Sequence, residues 1–403
     1  MTGEEVVKDG GVASIHDTIR FTLDKNPEVF TARERLASAQ ADLNAEENQR
    51  MPSISLEAVA ENDDEDSTAY VRVLQPLWVG GRIDNAIQKA VIQVDLAEVQ
   101  LHRTQRELME ETVIAFTEVT GLKERIRAAS KNIDEHKELL DMISRRRTGK
   151  ISSEADVQLA QSRLTQAVLT SEDLKGQLQI ARNELFALTR TPLDDFEPVM
   201  TELLELPGHA QVEADVENAS PRLEQIRLEI DIAKMNRLVS QSEYFPSLYG
   251  RLDQDIYDKE GTSSQHLDTT LALVLEGELD GAGFRTFEQV KSSEVLIRAT
   301  QMQSRAERND VNRTARSLLA DRDLERQLVD LNRSLVKSTA STLASYTRQY
   351  EAGRKSWLDL LNIQREFANA RLNLELVKSR YEQASLRLAV QMGRFDEAAG
   401  IVK

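Results

Sequence analysis

The sequence predicts a mostly α-helical chain with a small β part, built as one structural unit used twice. Three observations predict it: helix formers dominate, heptads run through both halves, and proline and glycine signposts recur in the same order. Aromatic residues are 5% and charged residues 30% of the 403. That leaves little bulky apolar material for a thick layered core and favours long helices packed side by side.

Asn26-Pro27 opens a segment that closes at Met51-Pro52-Ser53-Ile54, and Ser220-Pro221 opens one that closes at Phe245-Pro246-Ser247-Leu248. Both prolines recur 194 residues on (27 to 221, 52 to 246). Gly80-Gly81-Arg82 answers Gly281-Ala282-Gly283-Phe284-Arg285, and Gly149-Lys150 answers Gly353-Arg354. After these turns the offset is 203, pairing Asp156 with Asp359, Gln161 with Gln364 and Ala167 with Ala370. A repeat this long is not a solenoid of short modules. The reading is a first repeat over 1–203 and a second over 204–403.

Each repeat reads as helix, two strands, long helix, turn, helix. Pro27 suits a first-turn position, where its missing N–H costs nothing, so 28–50 reads as a helix that Pro52 ends. Strands follow at about 53–60 and 69–76: Ile54, Leu56, Ala58 and Ala60 face one way, Ser53, Ser55 and Glu57 the other. Period-two alternation of this kind marks a strand with one apolar face. From Ile83 to Thr148 no proline occurs and only Gly121 interrupts; about 65 residues make a helix of roughly 100 Å. The Gly149 turn then leads into a helix over 152–189.

The second repeat gives helices at about 222–244, 286–352 and 356–392, with strands at about 247–256 and 267–277. Its strands alternate too: Leu248, Gly250 and Leu252 against Tyr249, Arg251 and Asp253, then Leu271, Leu273 and Leu275 against Thr270, Ala272 and Glu276. Heptad seams run through Ile83, Ile87, Ala90, Val94, Ala97, Leu101 and Leu108, then from Val157 and Ala160 to Leu185 and Leu188. A third runs from Leu360 and Ile363 to Ala384 and Leu388. Sustained heptads are the pattern of coiled-coil contact, and the Ala and Ser in these seams let neighbouring backbones lie close.

The net charge of −17 argues against nucleic acid as a partner, since phosphate binding needs concentrated Lys and Arg. The absence of cysteine excludes disulfides, thiolate metal sites, a cysteine nucleophile and a lipidated N-terminal cysteine. No apolar run reaches the ~18 residues of a membrane-spanning helix, but a β-barrel crosses on short alternating strands. Four strands are too few for a barrel, and lipid does not tolerate an open sheet's edges; three chains would supply twelve. Residues 1–10 show no leader pattern, so an exported chain is expected to be read here in its mature form.

Taken in order and in duplicate, these marks resemble the TolC-like outer-membrane efflux and secretion channels, from about Ser14 to Arg394. The specific ones are the Asn-Pro opening, Met51-Pro52-Ser53, Gln75-Pro76-Leu77-Trp78-Val79-Gly80-Gly81-Arg82, and the turn segments Arg147–Val157 and Tyr350–Leu360. The resemblance implies a homotrimer with a 12-strand transmembrane β-barrel on a 12-stave periplasmic helical barrel. Residues 190–219 and both termini would form an equatorial belt. It implies a conduit without chemistry that takes cargo from an inner-membrane transporter, of ABC type, and a periplasmic adaptor. Type I secretion of a large protein is the expected branch, because an N-terminal cysteine is missing; a multidrug efflux pump is the alternative.

The resemblance also carries roles onto residues. Arg147, Thr148, Gly149, Lys150, Ala352, Gly353 and Arg354 match hairpin tips that dock the adaptor, the glycines allowing a left-handed turn. Asp359 matches a pore constriction where three carboxylates favour cations; Asn362 stands where a second acid is common and should weaken that ring. As a structural alternative, Asp359 is a helix N-terminal acid helped by the dipole. Asp156, Tyr350 and Lys355 match a latch between neighbouring hairpins, loosened here because lysine replaces a forked arginine.

No cofactor or metal is expected. His16, His102, His136, His209 and His266 are scattered, and the acidic stretch 61–66 lacks calcium-loop spacing. No nucleophile–base pairing, phosphate loop or dinucleotide fingerprint occurs, so no enzyme is expected. A periplasmic adaptor would need one hairpin between β-rich halves. A soluble coiled-coil scaffold would leave the Leu271, Leu273 and Leu275 alternation unused.

Overall fold

The computed structural model describes residues 12–60, 66–260, 268–278 and 280–397. The acidic residues 61–65 and His266 lie outside these, as does the side chain of Asp66. Helices α1 (Ile15–Lys25) and α2 (Pro27–Asn48) lead into strands β1 (Ser53–Ala60) and β2 (Asp66–Trp78). The first hairpin is α3 (Arg82–Thr148) and α4 (Glu154–Thr189), followed by α5 (Thr201–Leu204) and α6 (His209–Ala219). The second repeat supplies α7 (Pro221–Ser242), β3 (Ser247–Glu260), β4 (Thr269–Glu276), α8 (Phe284–Glu351) and α9 (Trp357–Gln391).

These bounds differ from the sequence reading by a few residues, for local reasons. Capping boxes start α4 and α9: the Ser153 hydroxyl accepts from the Asp156 N–H and Ser356 from Asp359, so the helices begin at Glu154 and Trp357, not 152 and 356. Strand β2 runs past Pro76 to Trp78: β1 pairs with it only as far as Leu74, so Pro76 stands opposite Tyr249 of β3 alone, and a register shift follows it. Helix α1 escaped the sequence reading; it is only 11 residues long and is set by a Ser14/Asp17 capping box. The N-cap and a buried face of Ile15, Ile19 and Leu23 were its signal.

The chain divides into two compact units that cut across the sequence repeats. One unit comprises residues 1–29, 104–220 and 310–403, and the other 30–103 and 221–309, so each draws on both repeats.

In the unit of 30–103 and 221–309 the strands form one antiparallel sheet in the order β1-β2-β3-β4. Its registers align Ile54, Val73, Leu252 and Leu271 in a row across all four strands. The next row, on the other face, is Ser55, Arg72, Asp253 and Thr270, with Arg72 Nε donating to Asp253 at 2.9 Å. One face is therefore apolar and the other is a charged, hydrogen-bonded lattice. Val79, Ile83 and Ile87 pack against Leu43 and Tyr249 beneath the sheet. Gly80 (φ 63°) turns the chain here, and a Cβ there would lie 2.7 Å from Phe245 Cβ.

In the other unit the heptad seams form the core. Ala160, Ala167, Ser171, Leu174, Ala181 and Leu185 are buried, as are Leu360, Ile363, Ala370, Leu374, Val377, Ala384 and Leu388. Leu108, the last seam position read on α3, is buried, and a second buried face absent from the sequence reading includes Met109, Val113, Phe116 and Val119. Thr112 Oγ1 donates to Thr22 Oγ1 of α1 at 2.9 Å, Phe116 meets the Phe196 ring edge-on at 5.2 Å, and Val119 joins a cluster with Leu174, Ala181 and Leu185 of α4. Helix α3 is unbroken at Gly121. Ala13 bridges Phe196 in parallel, Phe395 lies 5.3 Å from the His16 ring, and Arg394 donates to the Glu205 carbonyl at 2.9 Å. The 190–219 segment and both described chain ends thus share contacts.

Candidate functional site: two hairpin tips and an exposed apolar sheet

Both hairpins turn through the same backbone device. The Ile151 N–H reaches back to the Arg146 carbonyl (2.9 Å), and the Arg354 N–H to that of Gln349 (2.8 Å). Each is the long bond of a Schellman motif, which needs one left-handed residue. In the second turn that residue is Gly353 (φ 71°), but in the first it is Lys150 (φ 60°) and not Gly149. The pairing of Gly149 with Gly353 is therefore corrected. Lys150 matches Gly353 and Gly149 matches Ala352, at the offset of 203 that Asp156 and Asp359 also keep.

Consequences for stability follow. Gly353→Ala should cost about 1 kcal/mol, the penalty of a Cβ in the left-handed region, and Lys150→Gly should recover a similar amount. Gly149→Ala should be close to neutral, since its Cβ would meet nothing nearer than the Arg146 carbonyl at 3.5 Å. Urea unfolding of the three variants checks the order.

The expected docking residues Arg147, Thr148, Gly149, Lys150, Ala352, Gly353 and Arg354 are all exposed. Two apolar side chains missed by the sequence reading, Ile151 and Leu358, are exposed beside them. Arg147 bonds Glu154 across the first turn, and that hydrogen bond, then one from Gln158, holds the Glu154 carboxyl below its ordinary value.

Asp156 and Asp359, read with different roles, occupy one position: third residue of a helix, in a capping box. Asp359 accepts from the Ser356 hydroxyl (2.8 Å) and N–H (3.3 Å), and Asp156 from the Ser153 hydroxyl (2.8 Å) and N–H (3.0 Å). The Ser356 hydroxyl, then its N–H, and Lys355 hold the Asp359 carboxyl below its ordinary value, so it stays ionised at neutral pH. Asn362 is exposed, one turn further along α9.

Among the described residues no hydrogen bond or ion pair joins the side chains of Asp156, Tyr350 and Lys355 to one another. Asp156 is held by its own cap, Lys355 Nζ stands 4.4 Å over the Tyr346 ring, and Tyr350 is buried against Trp357. Trp357 instead donates from Nε1 to the Asp156 backbone carbonyl at 3.1 Å. Around this pair a cluster of Leu139, Ile143, Ala160, Tyr350, Trp357, Leu360, Leu361 and Ile363 closes the hairpin ends. The sequence did carry a signal for Trp357: it is one of two tryptophans and directly follows a capping serine.

One turn above that cluster His136 is buried, with Nδ1 lacking a hydrogen-bond partner. Burial, reinforced by Arg163 on α4 and opposed by Glu135, pushes its pKa down. A base whose native pKa is depressed binds its proton first in the unfolded chain. Its stabilising effect is complete above the ordinary histidine value and is lost as pH falls towards the lowered native one. Melting temperature should therefore drop on acidification through this window, and His136→Leu should flatten that drop. Melts of both proteins over a pH series test it.

The sheet carries the second feature. Ile54 is 73% and Leu271 81% exposed, and Leu56, Leu273 and Leu275 stand beside them. Leaving five such side chains in water forfeits on the order of 10 kcal/mol, so this face is built for an apolar surround. The edges β1 and β4 are unpaired among the described residues. Among these residues no helix is long and apolar enough to cross a membrane, and no group of three or more His, Cys, Asp or Glu could hold a metal ion.

The family model described as "Outer membrane efflux protein" matches residues 18–189 and 214–394. The chain belongs to this family. A relative, the cobalt-zinc-cadmium resistance protein CzcC of Cupriavidus metallidurans, is 24% identical over 335 residues, covering 81% of this chain and 77% of CzcC. Among solved structures, CusC superposes with a TM-score of 0.81 at 14% identity, over 96% of this chain and 95% of its own. The outer-membrane channel OprN gives 0.78 at 15% identity (94% and 89%), and VceC of Vibrio cholerae 0.75 at 16% (94% and 96%). This outer membrane efflux protein is thus a channel-family subunit of the bacterial outer membrane that extends into the periplasm, and not an enzyme. Efflux channels of this family work with adaptor and inner-membrane pump components.

Proposed function

We propose that three copies of this chain form an exit duct for small solutes, with divalent metal cations as the first cargo class. The observation that carries the duct is the open four-stranded sheet, apolar on one face and unpaired at both edges. Three copies give twelve strands, and pairing β4 of one with β1 of the next removes every edge. The hairpin tips, including exposed Ile151 and Leu358, are the surface offered to a periplasmic adaptor that brings cargo from an inner-membrane pump.

For cargo, the metal-resistance relative covering 81% of the chain supports cations over large proteins. So do the net charge of −17 and the ionised Asp359. A ring of three Asp359 carboxylates without a second acid at Asn362 would favour cations weakly. Type I secretion, favoured by the sequence reading alone, is the competing outcome.

Planar-bilayer recording of the purified protein tests the duct and its selectivity together. Cation-selective steps are expected, with selectivity reduced in Asp359→Asn. A monomer that is soluble without detergent and silent in bilayers overturns the duct. Growth of a deletion strain on zinc, cobalt and cadmium, against export of a large protein, decides the cargo.

A further inference from the structure

A line of polar contacts runs diagonally over the charged face of the sheet and joins three of its strands. The Tyr70 hydroxyl of β2 donates to the Glu57 carboxylate of β1, and Arg72 Nη2 donates to the same Tyr70 oxygen at 3.2 Å. Arg72 lays its guanidinium 4.8 Å over the Tyr70 ring and donates from Nε to Asp253 Oδ1 of β3 at 2.9 Å. Arg251 brings its Nε to 3.0 Å from the other Asp253 oxygen. Asp253 is therefore shared by two arginines, and its side chain is 18% exposed against 34% for each of theirs. These contacts occupy three successive rows of the sheet, where the one further charged residue of the described strands on this face is Asp255, opposite Tyr70. Glu57, Asp253 and Asp255 against Arg72 and Arg251 leave one net negative charge per chain.

We propose that Asp253 sets how strongly the barrel lumen prefers cations, by cancelling the two arginines it is held between. The inference rests on the duct reading: with the apolar face against lipid, this face lines the lumen, and three copies repeat the band around it. Rings of fixed charge set ionic preference, and low-dielectric walls focus their field into the opening between them. Glu57 is no substitute, since it stands 3.9 Å from Arg72 and otherwise reaches it through the Tyr70 hydroxyl. Losing the Asp253 carboxylate uncovers both guanidiniums at once and takes the band to neutral. Losing Arg72 takes it to two negative charges per chain. The two ends of one ion pair thus push selectivity in opposite directions, which damage to the sheet would not do.

The reversal potential of the full chain in a planar bilayer under a potassium chloride gradient reads this directly. Asp253→Asn should lower the permeability ratio of potassium over chloride severalfold, and Arg72→Gln should raise it. The double variant Asp253→Asn with Arg72→Gln restores the native charge count and should return the ratio close to the native one. Each shift should be larger at 0.1 M salt, where fixed charges reach about 10 Å, than at 1 M, where they reach about 3 Å. Single variants that move the ratio the same way, or a double variant further from native than either, overturn the inference. Should Asp253→Asn alone give no channels, Arg72→Gln and the double variant still decide it. A native channel whose selectivity falls in Asp359→Asn but is unmoved by all three variants removes the role of Asp253 and leaves the duct standing. A native protein silent in bilayers removes both.

Discussion

Leu271→Arg is expected to leave the chain unable to assemble stably in a lipid bilayer, whereas Thr270→Arg, one residue earlier, is expected to be tolerated. The two positions are neighbours in sequence on opposite faces of β4. Leu271 ends the apolar row Ile54, Val73, Leu252, and Thr270 ends the polar row Ser55, Arg72, Asp253. A guanidinium facing lipid costs about 2–4 kcal/mol at mid-depth, once per copy and three times in the proposed trimer. The same group at Thr270 joins a face that already pairs Arg72 with Asp253. Urea unfolding of each variant in lipid vesicles measures the contrast. Equal losses at both positions would show that the exposed leucines do not face lipid.

That contrast rests on features the sequence showed by itself. Strand alternation needs only period two, so the face assignments of Leu248, Leu252, Leu271, Leu273 and Leu275 were legible, as were the seam positions Ala160 to Leu185 and Leu360 to Leu388. Features fixed by contacts between distant segments were not. The second buried face of α3 exists because α1, α4 and Phe196 meet it, and no periodicity in α3 alone announces those partners. The Lys150–Gly353 equivalence was hidden because glycine is the usual left-handed residue, and a lysine in that role looks like any exposed lysine. At the candidate site the exposed tips and the two N3 aspartates could be read. The contacts of Arg146 with Tyr350 and of Trp357 with Asp156 could not, since both hydrogen bonds end on backbone carbonyls. The two compact units likewise follow from long helices passing through both, which a repeat boundary at 203/204 does not reveal.

Gly121 shows what a single close approach can demand of a long helix. It reads as an interruption of α3, yet the helix runs through it, and its want of a side chain is used elsewhere. A Cβ at 121 would overlap both Cβ and Oγ of Ser379 on α9, whose hydroxyl donates to the Thr117 carbonyl at 2.8 Å. Gln383 Nε2 reaches Thr117 Oγ1 at 3.3 Å one turn further along α9. Gly121→Ala gains about 1 kcal/mol of helix propensity and loses about 1–3 kcal/mol to overpacking. Gly121→Val gains less, clashes more, and is expected to cost several kcal/mol by parting α3 from α9 where the glycine backbone packs directly on the Ser379 side chain. The decisive arm is the pair Gly121→Ala with Ser379→Gly. Removing the opposing Cβ and hydroxyl makes room for the alanine methyl, so the pair should melt above Gly121→Ala alone. If the second change lowers the melt further, the glycine is not kept for this contact, and α3 and α9 are held apart by something other than the spacing seen at Ser379.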